Sequence, residues 1–272
     1  VTAAEIQAVI ALLRAVSAEQ IMPKWRHLDE ADVRTKSGPL DPVTVADEAA
    51  ETALCEGLKK LFPVADIIGE EAVAKDRNLL KRLRAPGKVW VIDPIDGTAN
   101  FASDLPLFGV MLALVEEDQV RAGFIHDPVG DDTAIATAGG GAWMIARNGS
   151  AKRLRVAPPA PLREMTGSLS WRYMKQPLRG HILANLDKLA ATTDFRCAAH
   201  QYRQIAAGHC HVQLFRRLYP WDHAAGFLLH REAGGYAKRF DGTDYLPSDI
   251  EGGLLLAPDE ASWNAMAEMF LI

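Results

Sequence analysis

The sequence predicts a mixed α+β protein, and three patterns carry that prediction. Two stretches near the N-terminus have apolar residues at helical spacing. Residues 107–156 read as an antiparallel meander of apolar runs and tight turns. Beyond Pro158 strands and helices alternate.

The elements follow in order. Residues 4–21 place Ile6, Val9, Ile10, Leu13 and Val16 on one helical face. Thr35-Lys36-Ser37-Gly38-Pro39 is a turn-rich loop. Asp41-Pro42-Val43-Thr44-Val45-Ala46-Asp47 opens a second helix over 46–62, with Ala50, Ala53, Leu54, Leu58 and Leu61 repeating the pattern until Phe62-Pro63 stops it. In the meander, Phe108 to Val115 runs out, Glu116-Glu117-Asp118 turns, and Val120 to His126 returns. Thr133–Thr137 and Gly141–Ile145 follow, with Asn148-Gly149 as a hairpin signal. Gly139-Gly140-Gly141 reads as a bend in that sheet, because it lacks the Gly-Lys-Ser/Thr and helix of a phosphate-binding loop. Pro158-Pro159-Ala160-Pro161 is a stiff connector that divides the chain into halves 1–157 and 158–272, which form one catalytic unit. Helices are expected near 178–192, 199–207 and 222–233.

One run dominates the chemistry. Val89-Trp90-Val91-Ile92 is an uncharged buried strand that ends in Asp93-Pro94-Ile95-Asp96-Gly97-Thr98. Two carboxylates held ~4 Å apart on one turn repel by roughly 4 kcal/mol at an effective dielectric of about 20. A hard cation such as Mg²⁺ or Mn²⁺ relieves that. Pro94 stiffens the turn, Gly97 lets it bend, and a helix starting near Thr98 points free N–H groups at a phosphate. An EF-hand fails because Ile95 occupies the third loop position, and an aspartyl-nucleophile phosphatase would show Asp-x-Asp.

Composition sets the frame. The chain has 272 residues, 49% hydrophobic and 24% charged, enough for a large core. No apolar stretch reaches the roughly 18 residues of a membrane span, and the N-terminus reads as an amphipathic helix, so a cytoplasmic enzyme is expected. Cys55, Cys197 and Cys210 are scattered and read as reduced thiols, and His209-Cys210-His211 has no convincing third metal ligand. The net charge of −5 argues against general nucleic-acid binding. Residues 151–220, however, hold 12 basic and three acidic side chains. That segment is either a rim that steers anions or a face that balances acidic neighbours across a subunit contact.

Gly69-Glu70-Glu71, Asp93-Pro94-Ile95-Asp96-Gly97-Thr98 and Trp221-Asp222-x-Ala224-Ala225-Gly226 together resemble the inositol monophosphatase family of metal-dependent, lithium-sensitive phosphatases, over Asp41 to about Gly235. The resemblance implies a layered α/β/α/β/α sandwich, a homodimer, and two or three Mg²⁺ ions, with Mn²⁺ also suited to the oxygen ligands. It implies that Glu70, Asp93 and the Ile95 carbonyl hold one ion, and that Asp93, Asp96 and Asp222 hold the next. Glu70, Thr98 and Asp96 form the implied catalytic group. Gly97, Thr98 and Asp222 lie against the substrate, a small phosphorylated polyol or sugar. Lys36, Asp47, Glu71 and His223 stand close by in the motifs, as supporting groups or as ordinary loop, helix and packing residues.

Two departures bear on substrate. Inositol-preferring relatives carry an acidic residue shortly before Trp-Asp, but Leu214-Phe215-Arg216-Arg217-Leu218-Tyr219 has none. Their small-residue loop is replaced by Arg196-Cys197-Ala198-Ala199-His200. Arg216 and Arg217 favour a second anionic group, and if they alternate on a strand only one of them faces the cleft. The alternatives are therefore a bisphosphorylated sugar or nucleotide, with cationic histidinol phosphate poorly served. A regulator that binds RNA or protein through the basic segment is the remaining reading.

Overall fold

Thr2 opens the first helix, accepting from the Glu5 N–H while Glu5 returns to the Thr2 N–H, and α1 (Ala3–Val16) follows. The computed structural model describes residues 1–36, 38 and 42–271. Asp41, on the approach to the second helix, and Ser37 and Pro39 of the turn-rich loop lie outside the described residues. The short strands β1 (Val33–Thr35) and β2 (Pro42–Thr44) pair antiparallel and lead into α2 (Val45–Leu61), where Thr44 and Asp47 form a second reciprocal cap.

Seven strands make the larger sheet, in chain order β3 (Asp66–Gly69), β4 (Lys88–Asp96), β5 (Gly109–Glu116), β6 (Gln119–Asp127), β7 (Asp132–Thr137), β8 (Gly141–Ile145) and β9 (Ala151–Arg153). Between β3 and β4 lie α3 (Glu70–Lys75) and a 3₁₀ segment, and the one-turn α4 (Thr98–Phe101) follows β4. All pairs are antiparallel except β3–β4. The expected meander and its Asn148-Gly149 turn are present, with Gly149 at φ +80°. The smaller sheet has the order β11 (Ala191–Thr193), β10 (Thr166–Leu169), β12 (Val212–Phe215), β14 (Leu254–Ala257), β13 (Tyr236–Arg239). Helices α5 (Leu178–Leu183), α6 (Ala198–Ala206), α7 (Pro220–Glu232) and α8 (Glu260–Phe270) complete the chain.

Three apolar clusters stack these elements. The first joins α1 and α2 to one face of the large sheet through Val9, Leu13, Leu54, Trp90 and Phe124. The second fills the space between the two sheets, where Tyr202 of α6 and Leu228 and Leu229 of α7 meet Val91 and Met111 on one side and Phe215 and Leu254 on the other. The third packs Met266 and Phe270 of α8 and Ile182 of α5 against Val212, Leu214 and Leu255. The result is the expected α/β/α/β/α layering, because each sheet is apolar on both faces.

One predicted helix is corrected. In the segment 178–192 the α-helix ends at Leu183, with a 3₁₀ turn at Leu186–Lys188 beyond it. Asn185 Nδ2 donates to the His181 carbonyl at 2.8 Å, a side-chain bond that competes with helix extension. Ala191-Thr192-Thr193 then pairs as a parallel strand with Thr166–Ser168, where its β-branched threonines fit.

Candidate active site

β3 and β4 run parallel with Gly69 opposite Ile92, so Glu70 and Asp93 leave the sheet side by side at the carboxyl ends of their strands. Strict alternation would put Asp93 and Asp96 on opposite faces. The β4–β5 register shifts between them: Asp93 pairs with Met111 and Asp96 with Gly109, so β4 carries one extra residue. This bulge, at Pro94-Ile95, brings both aspartates to the same side while Ile95 anchors in the core. Gly97 follows at φ +86°, where an added Cβ would lie 2.8 Å from the Leu107 carbonyl. Asp222 arrives from the first turn of α7, which Pro220 starts.

Glu70, Asp93 and Asp222 each present an oxygen within 4.8 Å of the others. Asp93 is buried, and its Oδ1 has no hydrogen-bond partner among the described residues. Burial, followed by the charges of Glu70, Asp96 and Asp222, drives the Asp93 pKa far up. Glu70 is pushed up to about 8, first by burial and then by Asp222, against the pull of Lys36. Lys36 Nζ lies 2.7 Å from Glu70 Oε1 and 2.5 Å from Glu71 Oε1. Burial alone would disfavour the ammonium, but the two glutamates hold its pKa well above the ordinary lysine value. Lys36 thus answers part of the negative charge that gathers here.

Asp96 lines the same cleft but faces α6. Its Oδ2 accepts from the Cys197 thiol at 3.0 Å and from the Ala199 N–H at 2.5 Å. The Asp96 pKa is raised by burial and held back by these bonds. Thr98 Oγ1 lies 2.9 Å from the Ile95 carbonyl and 3.1 Å from Asp47 Oδ1, so its single proton serves one of them at a time. Asp47 is buried and its pKa is raised to about 6, against hydrogen bonds from Thr44. Gly97 and Thr98 begin α4, whose first N–H groups have no intrahelical acceptor and point out of the turn.

Three further residues support this arrangement. Glu51 accepts from the Glu71 and Ala72 N–H groups at 2.8 and 2.9 Å and so fastens α3. Asp47 and Glu51 stand four residues apart on the buried face of α2, an acidic pair among Ala46, Ala50 and Leu54, and that pattern was the available sequence signal. Cys197, read from sequence as a plain reduced thiol, is the third and a direct partner of Asp96.

Other candidates separate from the centre. His223 packs against Tyr202 and Phe215 with its Nδ1 3.0 Å from the Tyr202 hydroxyl, and burial lowers its pKa to about 3, so it is a neutral packing residue. The condition for Arg216 and Arg217 to alternate is not met, because β12 ends at Phe215 and both arginines lie in the following loop, lining the cleft mouth. His211 Nδ1 meets the Thr166 N–H, away from the carboxylates.

The same arrangement of elements is found in known proteins. The family model for the inositol monophosphatase family matches residues 3–269. The chain is 34% identical over 238 residues to the fructose-1,6-bisphosphatase/inositol-1-monophosphatase of Thermotoga maritima, covering 86% of this chain and 84% of that protein. It is 32% identical over 260 residues to the Nus factor SuhB of Haemophilus influenzae, covering 92% and 90%. The solved structure of a Thermotoga maritima IMPase superposes with a TM-score of 0.80 at 28% identity, covering 98% of this chain and 96% of that one. With the match running through every element that builds the cleft, the chain belongs to the inositol monophosphatase family.

Proposed function

We infer that this protein is a Mg²⁺-dependent phosphomonoesterase that hydrolyses a small phosphorylated polyol or sugar by direct attack of water. The observation that carries the reading is the convergence of Glu70, Asp93 and Asp222, with a buried, unpartnered Asp93 oxygen at its centre. The donor set is all oxygen, which suits Mg²⁺ or Mn²⁺. Glu70, Asp93 and the Ile95 carbonyl would hold one ion; Asp93, Asp96 and Asp222 would hold a second. Bound there, the ions would lower the pKa of water and offset charge on the phosphate and the leaving oxygen.

The chain's own groups do the rest. Thr98 Oγ1 takes a proton from the attacking water as it passes its own to Asp47 Oδ1, a carboxyl whose raised pKa readies it to accept. Asp47 Oδ2 stays fixed by the Thr44 N–H and hydroxyl, so the relay does not rotate away. The Gly97 and Thr98 N–H groups grip the phosphate oxygens at the start of α4. A homodimer, lithium inhibition and a cytoplasmic setting accompany this reading through the family. A second reading, a regulator that binds RNA, draws on the similarity to Nus factor SuhB and on the basic 151–220 segment. The complete carboxylate set with its Thr98–Asp47 pair favours catalysis.

Phosphate release from a panel of sugar, polyol, nucleotide and amino-alcohol phosphates, with Mg²⁺ and with chelator, tests the proposal. Turnover that appears with Mg²⁺ and vanishes in chelator is expected. Undiminished turnover in chelator, or none with Mg²⁺, overturns it.

A further inference from the structure

The cleft is larger than a phosphate needs, at about 460 Å³, and its mouth is strongly cationic. Arg77, Arg196, Arg216 and Arg217 all line it. Arg216 Nη1 is already paired with Glu251 Oε2 at 3.0 Å. Arg77, Arg196 and Arg217 have no ion pair among the described residues. The Arg217 guanidinium lies over the Tyr173 ring, 5.7 Å from its centroid. Arg196 lines the same mouth as Tyr173, Asp194 and Arg217. Asp194 is the acidic neighbour on this side, and its Oδ1 accepts the Arg196 backbone N–H at 3.0 Å. The adjoining wall at the end of β12 is Phe215, which offers a polyol hydroxyl no acceptor.

We propose that Arg196 and Arg217, which line the cleft mouth together with Tyr173, form a subsite for a second anionic group, a carboxylate or another phosphate, carried by the alcohol portion of the substrate. The proposal rests on the phosphatase reading and narrows its substrate class. Arg196 and Arg217 are exposed at the mouth and have no ion pair among the described residues, so both are free to meet a carboxylate or phosphate in the paired geometry that arginine prefers. The cation–π contact with Tyr173 favours an Arg217 head group held at the mouth before the substrate arrives. Arg216, neutralised by Glu251, adds little. A substrate whose alcohol is neutral gains nothing from these two charges, and one whose alcohol is cationic is repelled by them, with Asp194 as the acidic group on that side.

The test compares substrates that differ only at the far end. With the full-length protein and saturating Mg²⁺, kcat/KM is measured for 3-phosphoglycerate against glycerol 3-phosphate, for 6-phosphogluconate against glucitol 6-phosphate, and for glucitol 1,6-bisphosphate against glucitol 6-phosphate. The anionic member is expected to lead by at least tenfold in one or more pairs, through KM. The first two pairs report a carboxylate at two lengths, and the third reports a phosphate. Arg196→Gln and Arg217→Gln are each expected to lower that ratio at least fivefold, with Arg217→Lys recovering part of it, while Arg216→Gln shifts it less than twofold. Thermal melts establish that each variant is folded. Ratios within threefold of one in all pairs, or a ratio that survives both Arg196→Gln and Arg217→Gln, overturn the subsite. Turnover of p-nitrophenyl phosphate reports the phosphatase reading by itself. If neither it nor any member of the panel is hydrolysed, that reading falls and the subsite falls with it.

Discussion

Replacing Thr98 by Val keeps the shape of the side chain and removes only the hydroxyl that joins Asp47 to the head of α4. The hydroxyl has two acceptors within reach, the Ile95 carbonyl at 2.9 Å and Asp47 Oδ1 at 3.1 Å. Stability loses one partly buried hydrogen bond, and Asp47 Oδ1 is left without its donor, at a cost of about 1–3 kcal/mol. Activity loses more. A positioned proton acceptor contributes ~10²–10⁴ in rate, about 2.7–5.4 kcal/mol of barrier. None of the carboxylates that would hold metal is touched, so the Mg²⁺ concentration for half-maximal activity is expected to stay within about threefold. Steady-state kinetics over a Mg²⁺ series, with melts alongside, separates these effects. Thr98→Ser restores the hydroxyl and is expected to recover most of kcat. Asp47→Asn is expected to match Thr98→Val, because an amide accepts the proton poorly. If folded Thr98→Val keeps more than a tenth of wild-type kcat, Thr98 is not in the proton path and Glu70 becomes the acceptor to examine.

Three further outcomes are expected. Asp96→Asn keeps an acceptor for the Ala199 N–H but loses the charge, so the fold survives and phosphatase activity falls by several orders of magnitude; near-normal turnover of the folded variant in saturating Mg²⁺ would sink the second-ion assignment. Gly69→Ala places a Cβ 2.2–2.6 Å from the Glu51 carboxylate and must displace it, which breaks both caps on α3; a loss of about 3–5 kcal/mol in urea unfolding is expected from two charge-assisted bonds, together with weaker Mg²⁺ activation, and an unchanged midpoint would show that Glu51 moves freely. Burial lowers the pKa of His126 to about 4, of His223 to about 3 and of His230 to about 4, so NMR titration is expected to find all three imidazoles neutral at pH 5. Between pH 6.5 and 4 the unfolded chain then binds more protons than the folded one, so these groups cost stability as pH falls through that window, by up to ~3 kcal/mol each, and are neutral to stability above it. Asp47, raised to about 6, acts in the opposite sense between pH 4 and 6.

What could be read in the sequence was local. The buried strand, the turn and the two aspartates of residues 89–98 sit within one short stretch, and their motif implies their placement. The meander was legible because period-two alternation and turn residues are neighbours in sequence. Contacts between distant segments were not. Asp96 meets Cys197 and Ala199 across about a hundred residues, and Thr98 meets Asp47 across fifty-one. The short α5 also depends on distant structure, since the parallel partner of residues 191–193 is Thr166–Ser168. Apolar periodicity in 178–192 cannot report that partner. Alternation of Arg216 and Arg217 required a strand running past Phe215, yet β12 stops where Phe215 meets Tyr202 and His223, contacts between segments that sequence spacing does not report.

The carboxylate cluster also shows why the site calls for a cation when other devices for holding negative charge are already present. Glu70 begins α3, Asp222 lies in the first turn of α7, and Asp96 accepts from the start of α6, so three helix N-termini face the cluster. Each such placement is worth about 0.3–1 kcal/mol, and less where the helix is as short as α3. Each pair of charges at ~4 Å opposes folding by roughly 4 kcal/mol at an effective dielectric of about 20. Glu70, Asp93 and Asp222 alone make three close pairs. The helix ends therefore offset only a minor part of the repulsion, and Lys36 reaches Glu70 and Glu71 but not the unpartnered Asp93 oxygen. What remains is met by protons on the carboxyls, as their raised pKa values indicate, or by divalent ions, which need those protons to leave. Ion binding and proton release at this cluster are thus one equilibrium, and Mg²⁺ binding measured by calorimetry in buffers of different ionisation enthalpy is expected to release protons near pH 7. Binding with no proton release would mean that the carboxylates are already ionised and that the balance of forces drawn here is wrong.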